Sequence, residues 1–207
     1  GSLPKLANHK SLVTLNLEDT AFTGMIPATW ANLKSLTKFL ISETSITGTI
    51  PPGLGSLEYL EKLSIKNNRF LRGTIPPFVA TANNLKAAKL SNNSFEGTLD
   101  SFFSVPNSRL ERLFGGYNHY TGTLPDLPES LQVVYLGHSN LTGPIPDSIG
   151  NLTNLFDFSI YHAQLTGSIP TTFGKLAGFK RLHLFRNALT GQIPSELGLC
   201  TLMEKIV

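Results

Sequence analysis

The sequence predicts a right-handed α/β solenoid of about eight coils, and three observations carry that expectation. An apolar residue recurs at near-constant spacing, at Leu12, Leu36, Leu60, Leu85, Leu110, Leu131, Leu155, Phe179 and Met203, 21 to 25 residues apart. Counting from each of these, apolar residues return at +3 and +5, as in Leu15 and Leu17, Leu63 and Ile65, or Leu182 and Leu184. Each unit then passes through a glycine and an Ile-Pro or Leu-Pro pair, from Gly24 and Ile26-Pro27 to Gly191 and Ile193-Pro194, with Leu99-Asp100 as the one break. A unit of about 24 residues cannot bury its own leucines, so successive units must stack and share one core.

The elements follow in order around one coil. The L-x-L alternation is a short strand with one face inward. Stacking sets equivalent strands side by side as a parallel sheet on the concave side. The next apolar position, +10, is Phe22, Ile46, Phe70, Phe95, Tyr120, Leu141, Leu165 and Leu189. It opens a second short strand, for example Leu189-Thr190-Gly191-Gln192-Ile193. The proline that follows cannot donate a ladder hydrogen bond and turns the chain. The tail, such as Ser148-Ile149-Gly150-Asn151-Leu152, suits about one 3₁₀ turn on the convex side.

Read end to end, the units follow L-x-x-L-x-L-x-x-N-x-L-T-G-x-I-P-x-x-L-G-x-L-x-x. This pattern, from Leu12 to Val207, resembles the plant-type leucine-rich repeat of receptor-kinase ectodomains and related cell-wall proteins. The first units, with Leu15-Asn16-Leu17-Glu18-Asp19-Thr20 and Ala28-Thr29-Trp30-Ala31, also resemble kinetoplastid surface-antigen repeats of the same class. The resemblance implies a single domain over residues 1–207, non-catalytic recognition of a protein, peptide or glycan, and an extracellular or cell-surface location. Family ectodomains carry disulfide-bonded caps, and none is written here, so a fragment lacking caps is expected.

The departures from the pattern are informative. The family places Asn at +8, as a buried ladder bonded to backbone. Here that rank reads Thr20, Thr44, Asn68, Asn93, Asn118, Ser139, Ala163 and Asn187. Thr and Ser keep hydrogen-bonding capacity. Ala163 does not, and a gap filled by water or by Gln164 is expected there. Cys200 stands where a leucine stands and reads as a small buried hydrophobe. The fifth unit closes in 21 residues, follows the looser segment Ser101–Arg109, and carries Gly115 at +5, so a local pinch is expected.

Composition excludes much. Lys+Arg 17 against Asp+Glu 14 gives only +3, with no basic run, so nucleic acid is not an expected partner. No apolar stretch reaches the ~18 residues of a membrane helix, so membrane insertion of this segment is not expected. One cysteine leaves no internal disulfide framework. No metalloprotease, nucleophile-elbow or phosphate-loop motif is present, and neither enzyme chemistry nor a cofactor or metal is expected.

The repeat also assigns the outward ranks. Residues at +4, +6 and +7 face out of the sheet. The first units show Glu18, Asp19 and Glu43 there. The last four show Phe114, Tyr117, Tyr135, His138, Tyr161, His162, His183, Phe185 and Arg186, the composition of recognition hot spots. These nine are the expected ligand site. Cross-strand packing of aromatics is the alternative, and a scaffold role in a larger assembly, with homotypic or co-receptor contacts, is the alternative function. Threonines around the repeat glycine form ranks at about 4.8 Å spacing, which makes ice binding a third reading, although Thr-Gly is the family consensus. Asn92, Asn140 and Asn151 begin N-glycosylation sequons. Asn140 is expected to be hidden beside the ladder, Asn92 lies on the sheet face, and Asn151 is the best placed to carry sugar.

Overall fold

The computed structural model describes residues 1–6, 8–103 and 108–207. Its spine is a nine-stranded parallel sheet of three-residue strands, with a two-residue strand at its last position. The strands are Thr14–Asn16, Lys38–Leu40, Lys62–Ser64, Ala87–Lys89, Arg112–Phe114, Val133–Tyr135, Asp157–Ser159, Arg181–His183 and Lys205–Ile206. Register is maintained throughout: Leu15, Phe39, Leu63, Ala88, Leu113, Val134, Phe158, Leu182 and Ile206 lie opposite one another in one continuous row. Each is the +3 residue of its coil, and all but Ile206 are buried. A one-residue slip would turn this whole row outward, which is why it does not occur.

Opposite this sheet lies a second set of strands. Thr23–Met25, Ser45–Gly48, Phe70–Gly73, Ser94–Thr98 and His119–Thr121 make a five-stranded parallel sheet, and Thr142–Gly143 pairs with Gln164–Leu165. The expected strand at Leu189–Ile193 is not formed; Ala188 N and Thr190 N instead donate singly to Leu165 O and Gly167 O of the preceding coil. The repeat glycines all have φ between +73° and +91°, a backbone that admits glycine without strain. The convex side carries 3₁₀ turns at Ala28–Asn32, Pro52–Ser56, Asp147–Asn151, Thr171–Lys175 and Ser195–Leu199, each starting immediately after its Ile-Pro proline. The third and fourth coils use single α turns instead, Phe78–Thr81 and Asp100–Phe103.

The core is continuous from Leu3 to Cys200. Trp30 closes one end, fully buried, with Nε1 donating to Pro4 O at 3.2 Å and its ring edge-on to Phe39. Cys200 is buried as expected, and its Sγ lies 3.3 Å from Phe173 O. Burial pushes its thiol pKa up, away from reactivity.

Three expectations need correction. Phe70, assigned to the inward +10 rank, is exposed, and Leu71 takes the core position. The third coil has one extra residue before its glycine, and hydrophobic burial selects the residue that reaches the core. At Ala163 the gap is not filled by Gln164, which is exposed: Ile160 O keeps only the ordinary ladder bond from the next coil, Asn187 Nδ2 at 2.7 Å. The fifth coil does not pinch the sheet. Arg112–Phe114 pairs over all three residues with the strands on both sides. The space that Gly115 leaves is filled, since a Cβ there would lie 2.9 Å from Leu136 Cδ2 and 3.4 Å from the buried Tyr120 ring. Of the looser segment before it, residues 104–107 lie outside the described residues.

Candidate functional site

The sheet face is built by ladder geometry. Each +7 residue sits in the left-handed region, with φ from +52° to +59° at Asp19, Glu43, Asn67, Asn92, Tyr117, His138, His162 and Arg186. Asp and Asn, and to a lesser degree His, tolerate that backbone; for Tyr and Arg it costs about 1 kcal/mol. Backbone preference therefore does not explain the residues of the last four coils.

What those residues do is stack across strands. The Tyr117 ring lies on His138 (3.9 Å between centroids, 14° between planes), and His138 lies on His162 (4.1 Å, 16°). Tyr161 stacks on Phe185 at 4.4 Å, and His162 meets Phe185 edge-on. Tyr135 packs edge-on to Tyr161, and their hydroxyls are hydrogen-bonded. Arg186 stands exposed beside His162. Phe114 is half-buried, with Lys89 Nζ 5.8 Å from its ring centre. Eight of the nine expected residues thus form or flank one aromatic comb, with Phe114 at its edge and His183 joined through the depression described below. The cross-strand alternative is realised too, because the rings satisfy one another face to face. Their edges, hydroxyls and ring nitrogens are left for solvent or a ligand.

Two glycines make room for the comb. A Cβ at Gly116 would collide with the Tyr135 ring and lie 2.8 Å from Gly137 O, and one at Gly137 would lie 3.2 Å from the Tyr161 ring. With those positions empty, the sheet face carries an open depression of about 490 Å³. It is lined by Lys66, Lys89, Phe114, Val133, Tyr135, Asp157, Tyr161 and His183, with serines between. Lys66, Lys89 and Asp157 were missing from the expected site. Lys66 and Lys89 stand in the outward ranks, whereas Asp157 stands at +2, a rank that also faces out across this sheet.

Not every outward rank is open. Leu40, Ser42, Ser64 and Ser159, expected on the surface, are buried beneath their neighbours. Ser42 Oγ and Ser64 Oγ are 2.8 Å apart, and Ser64 Oγ donates to Glu18 at 3.3 Å. Glu43 is held by Lys66 Nζ at 3.0 Å and Asn67 Nδ2 at 3.2 Å, and these hydrogen bonds lower its carboxyl pKa. The acidic end of the face is therefore knitted together.

A serine, a histidine and a carboxylate meet on this face. Ser159 Oγ lies 3.1 Å from both Asp157 Oδ1 and His183 Nδ1. A nucleophilic serine gives its proton to histidine, with the carboxylate behind the histidine. Here serine is in the middle, buried, and donates to Asp157, which Arg181 Nε also holds at 2.9 Å. The order is wrong for acyl transfer. Burial first, then Lys205 and Arg181, lower the pKa of His183 and favour the neutral ring, while Asp157 opposes them. His162 is lowered by desolvation, then by His138 and Arg186. The Tyr135 hydroxyl is pushed well up, by burial first and by Tyr161 next. Among the described residues no three His, Cys, Asp or Glu side chains gather where a metal could sit.

Sequon exposure departs from expectation at one place. Asn151 is exposed, and so is Asn140, because it falls just outside the ladder rather than under it. Asn92 is exposed on the sheet face, its Nδ2 bonded to Asn67 Oδ1 at 2.8 Å. The threonine ranks have a packing role: the γ-methyls of Thr49, Thr74 and Thr98 lie against the next coil's glycine, within 3.1 Å of where its Cβ would be.

The Leucine Rich Repeat family model matches residues 130–152. The fold is that of a leucine-rich-repeat solenoid. Over 61 residues, 30% of the chain and 8% of the relative, the repeats are 41% identical to Receptor like protein 28 of Arabidopsis thaliana. Among solved structures, the chain is similar to the Arabidopsis receptor kinase HAESA in complex with the peptide hormone IDA and the co-receptor SERK1. That match has a TM-score of 0.85 and 27% identity, over 93% of this chain and 33% of that one. A complex of PEPR1 with AtPEP1 matches at 0.79 and 28%, over 98% and 32%. A plant ice-binding protein shares the fold, at 0.70 and 23%, over 94% and 71%. The chain thus spans about a third of the length of the receptor ectodomains it resembles.

Proposed function

We propose that this solenoid is a non-catalytic extracellular recognition module that binds a protein or peptide ligand, with a glycan as the alternative, on its nine-stranded sheet. Phe114, Tyr117, Tyr135, His138, Tyr161, His162, His183, Phe185 and Arg186 carry the contact. The observation that supports this reading is the confinement of the aromatic comb to the last four coils, beside an open depression that runs back to Lys66. Large amphipathic side chains held rigid by mutual stacking lose little entropy on binding. HAESA, a structural relative, holds a peptide hormone and a co-receptor.

Tyr135→Ala or Phe185→Ala is expected to weaken capture of the natural partner at least tenfold while changing unfolding free energy by no more than about 1 kcal/mol. Unchanged affinity in both variants would remove the site assignment. The secretory location rests on the exposed sequons at Asn140 and Asn151. It predicts that the native protein loses mass on N-glycosidase treatment.

A further inference from the structure

The ligand site has an electrical direction. At one end Lys66 and Lys89 line the depression. Lys66 is matched by Glu43 at 3.0 Å, but among the described residues no carboxylate lies within 4.0 Å of Lys89. At the other end Asp157 is already held by Arg181 and Ser159, and His183 is neutral. The unmatched charge therefore belongs to Lys89, which also leans over the Phe114 ring. From the Lys89 strand to the His183 strand is four strand steps, roughly 19 Å at ~4.8 Å each. That is about six residues of extended chain at ~3.3 Å per residue. The floor between is Phe114, Val133, Tyr135 and Tyr161. Stacking covers both faces of His138 and one face each of Tyr117, His162, Tyr161 and Phe185, which leaves a sugar fewer faces to stack on.

Resting on the recognition reading above, we propose that the occupant is an acidic peptide segment of about six extended residues lying across the strands. Its carboxylate meets Lys89, and its apolar side chains lie over Phe114, Val133 and Tyr135. Coulomb attraction at a half-buried lysine that has no internal partner is stronger than at a solvated one, since ligand binding removes the remaining water.

The test uses the whole chain and a random library of nine-residue peptides, followed by affinity measurement on the selected sequences. The expected result is enrichment of Asp or Glu toward one end, with affinity lost about tenfold on replacing that residue by its amide. Lys89→Met should lose about as much, leave thermal stability unchanged, and show no additional loss against the amide peptide. Binders without acidic residues that still require Tyr135 and Tyr161 would overturn the acidic-peptide assignment and leave the recognition reading standing. Binding of acidic oligogalacturonides, lost in Lys89→Met, with no peptide selected would overturn it in favour of a glycan. Selected peptides indifferent to Tyr135→Ala and Tyr161→Ala, or no binder of either kind, would overturn both readings.

Discussion

Asn68 shows how one side chain joins three coils. Its Nδ2 donates to Ile41 O at 2.7 Å and to Ile65 O at 2.9 Å, while its Oδ1 accepts from Thr44 N at 3.0 Å. Its own N–H donates to Asn93 Oδ1, so the ladder propagates from coil to coil. Asn68→Ala strands the Ile41 carbonyl and the Thr44 N–H, and should cost about 2–3 kcal/mol in urea unfolding. Ala163→Asn should do the reverse. Ile160 O has accepted only Asn187, whereas its counterpart Ile65 O accepts both Asn68 and Asn93. A gain of about 1 kcal/mol is expected, and a loss would mean that the site cannot take the longer side chain. The ladder was legible in the sequence because its rank is periodic. That Gln164 stays out of the gap at Ala163 was not, because it depends on where the neighbouring side chain points.

The third coil shows how an element chooses its register. Phe70 and Leu71 are adjacent, both apolar, and only one can face the core of a strand. Phe70 is 48% exposed, under Arg69 at 4.7 Å, and Leu71 is fully buried. Leu71→Ala should therefore cost about 2–4 kcal/mol and Phe70→Ala less than about 1 kcal/mol. Equal costs would mean that both side chains share the core. Sequence spacing pointed to Phe70 because it counts positions from the opening leucine. The coil counts back from its glycine, where Gly73 must hold φ +84°. The fifth coil follows the same logic with volume instead of register. Gly115 empties a core position and the Tyr120 ring occupies it, so a pattern that looked deficient one rank at a time is complete when two ranks are taken together.

For the whole molecule, the two shifted histidines set a pH dependence. His162 and His183 have lower pKa values in the folded chain than the ordinary value near 6.5. The unfolded chain then binds more protons between the folded values and 6.5, so stability is full above about pH 6.5 and falls as the pH drops below it. Thermal melting should decline from pH 7 toward pH 5, and His183→Gln should flatten that decline. A melting temperature that rises on acidification would contradict the neutral assignment of these rings.

The path of the chain was determined by sequence alone. A 24-residue period of leucines, glycines and prolines has one way to bury its apolar face, and the nine-stranded row from Leu15 to Ile206 is that way. The outward ranks, and with them the nine site residues, follow from the same periodicity. What those residues do to one another was decided only by tertiary structure. Whether rings stack, which serine lies buried between Asp157 and His183, and which lysine is left without a carboxylate all depend on side chains from different coils meeting across the sheet. One-dimensional periodicity specifies the ranks but not the contacts between them. Those contacts depend on local volume, as at Gly116 and Gly137, and on charge pairing between neighbouring coils.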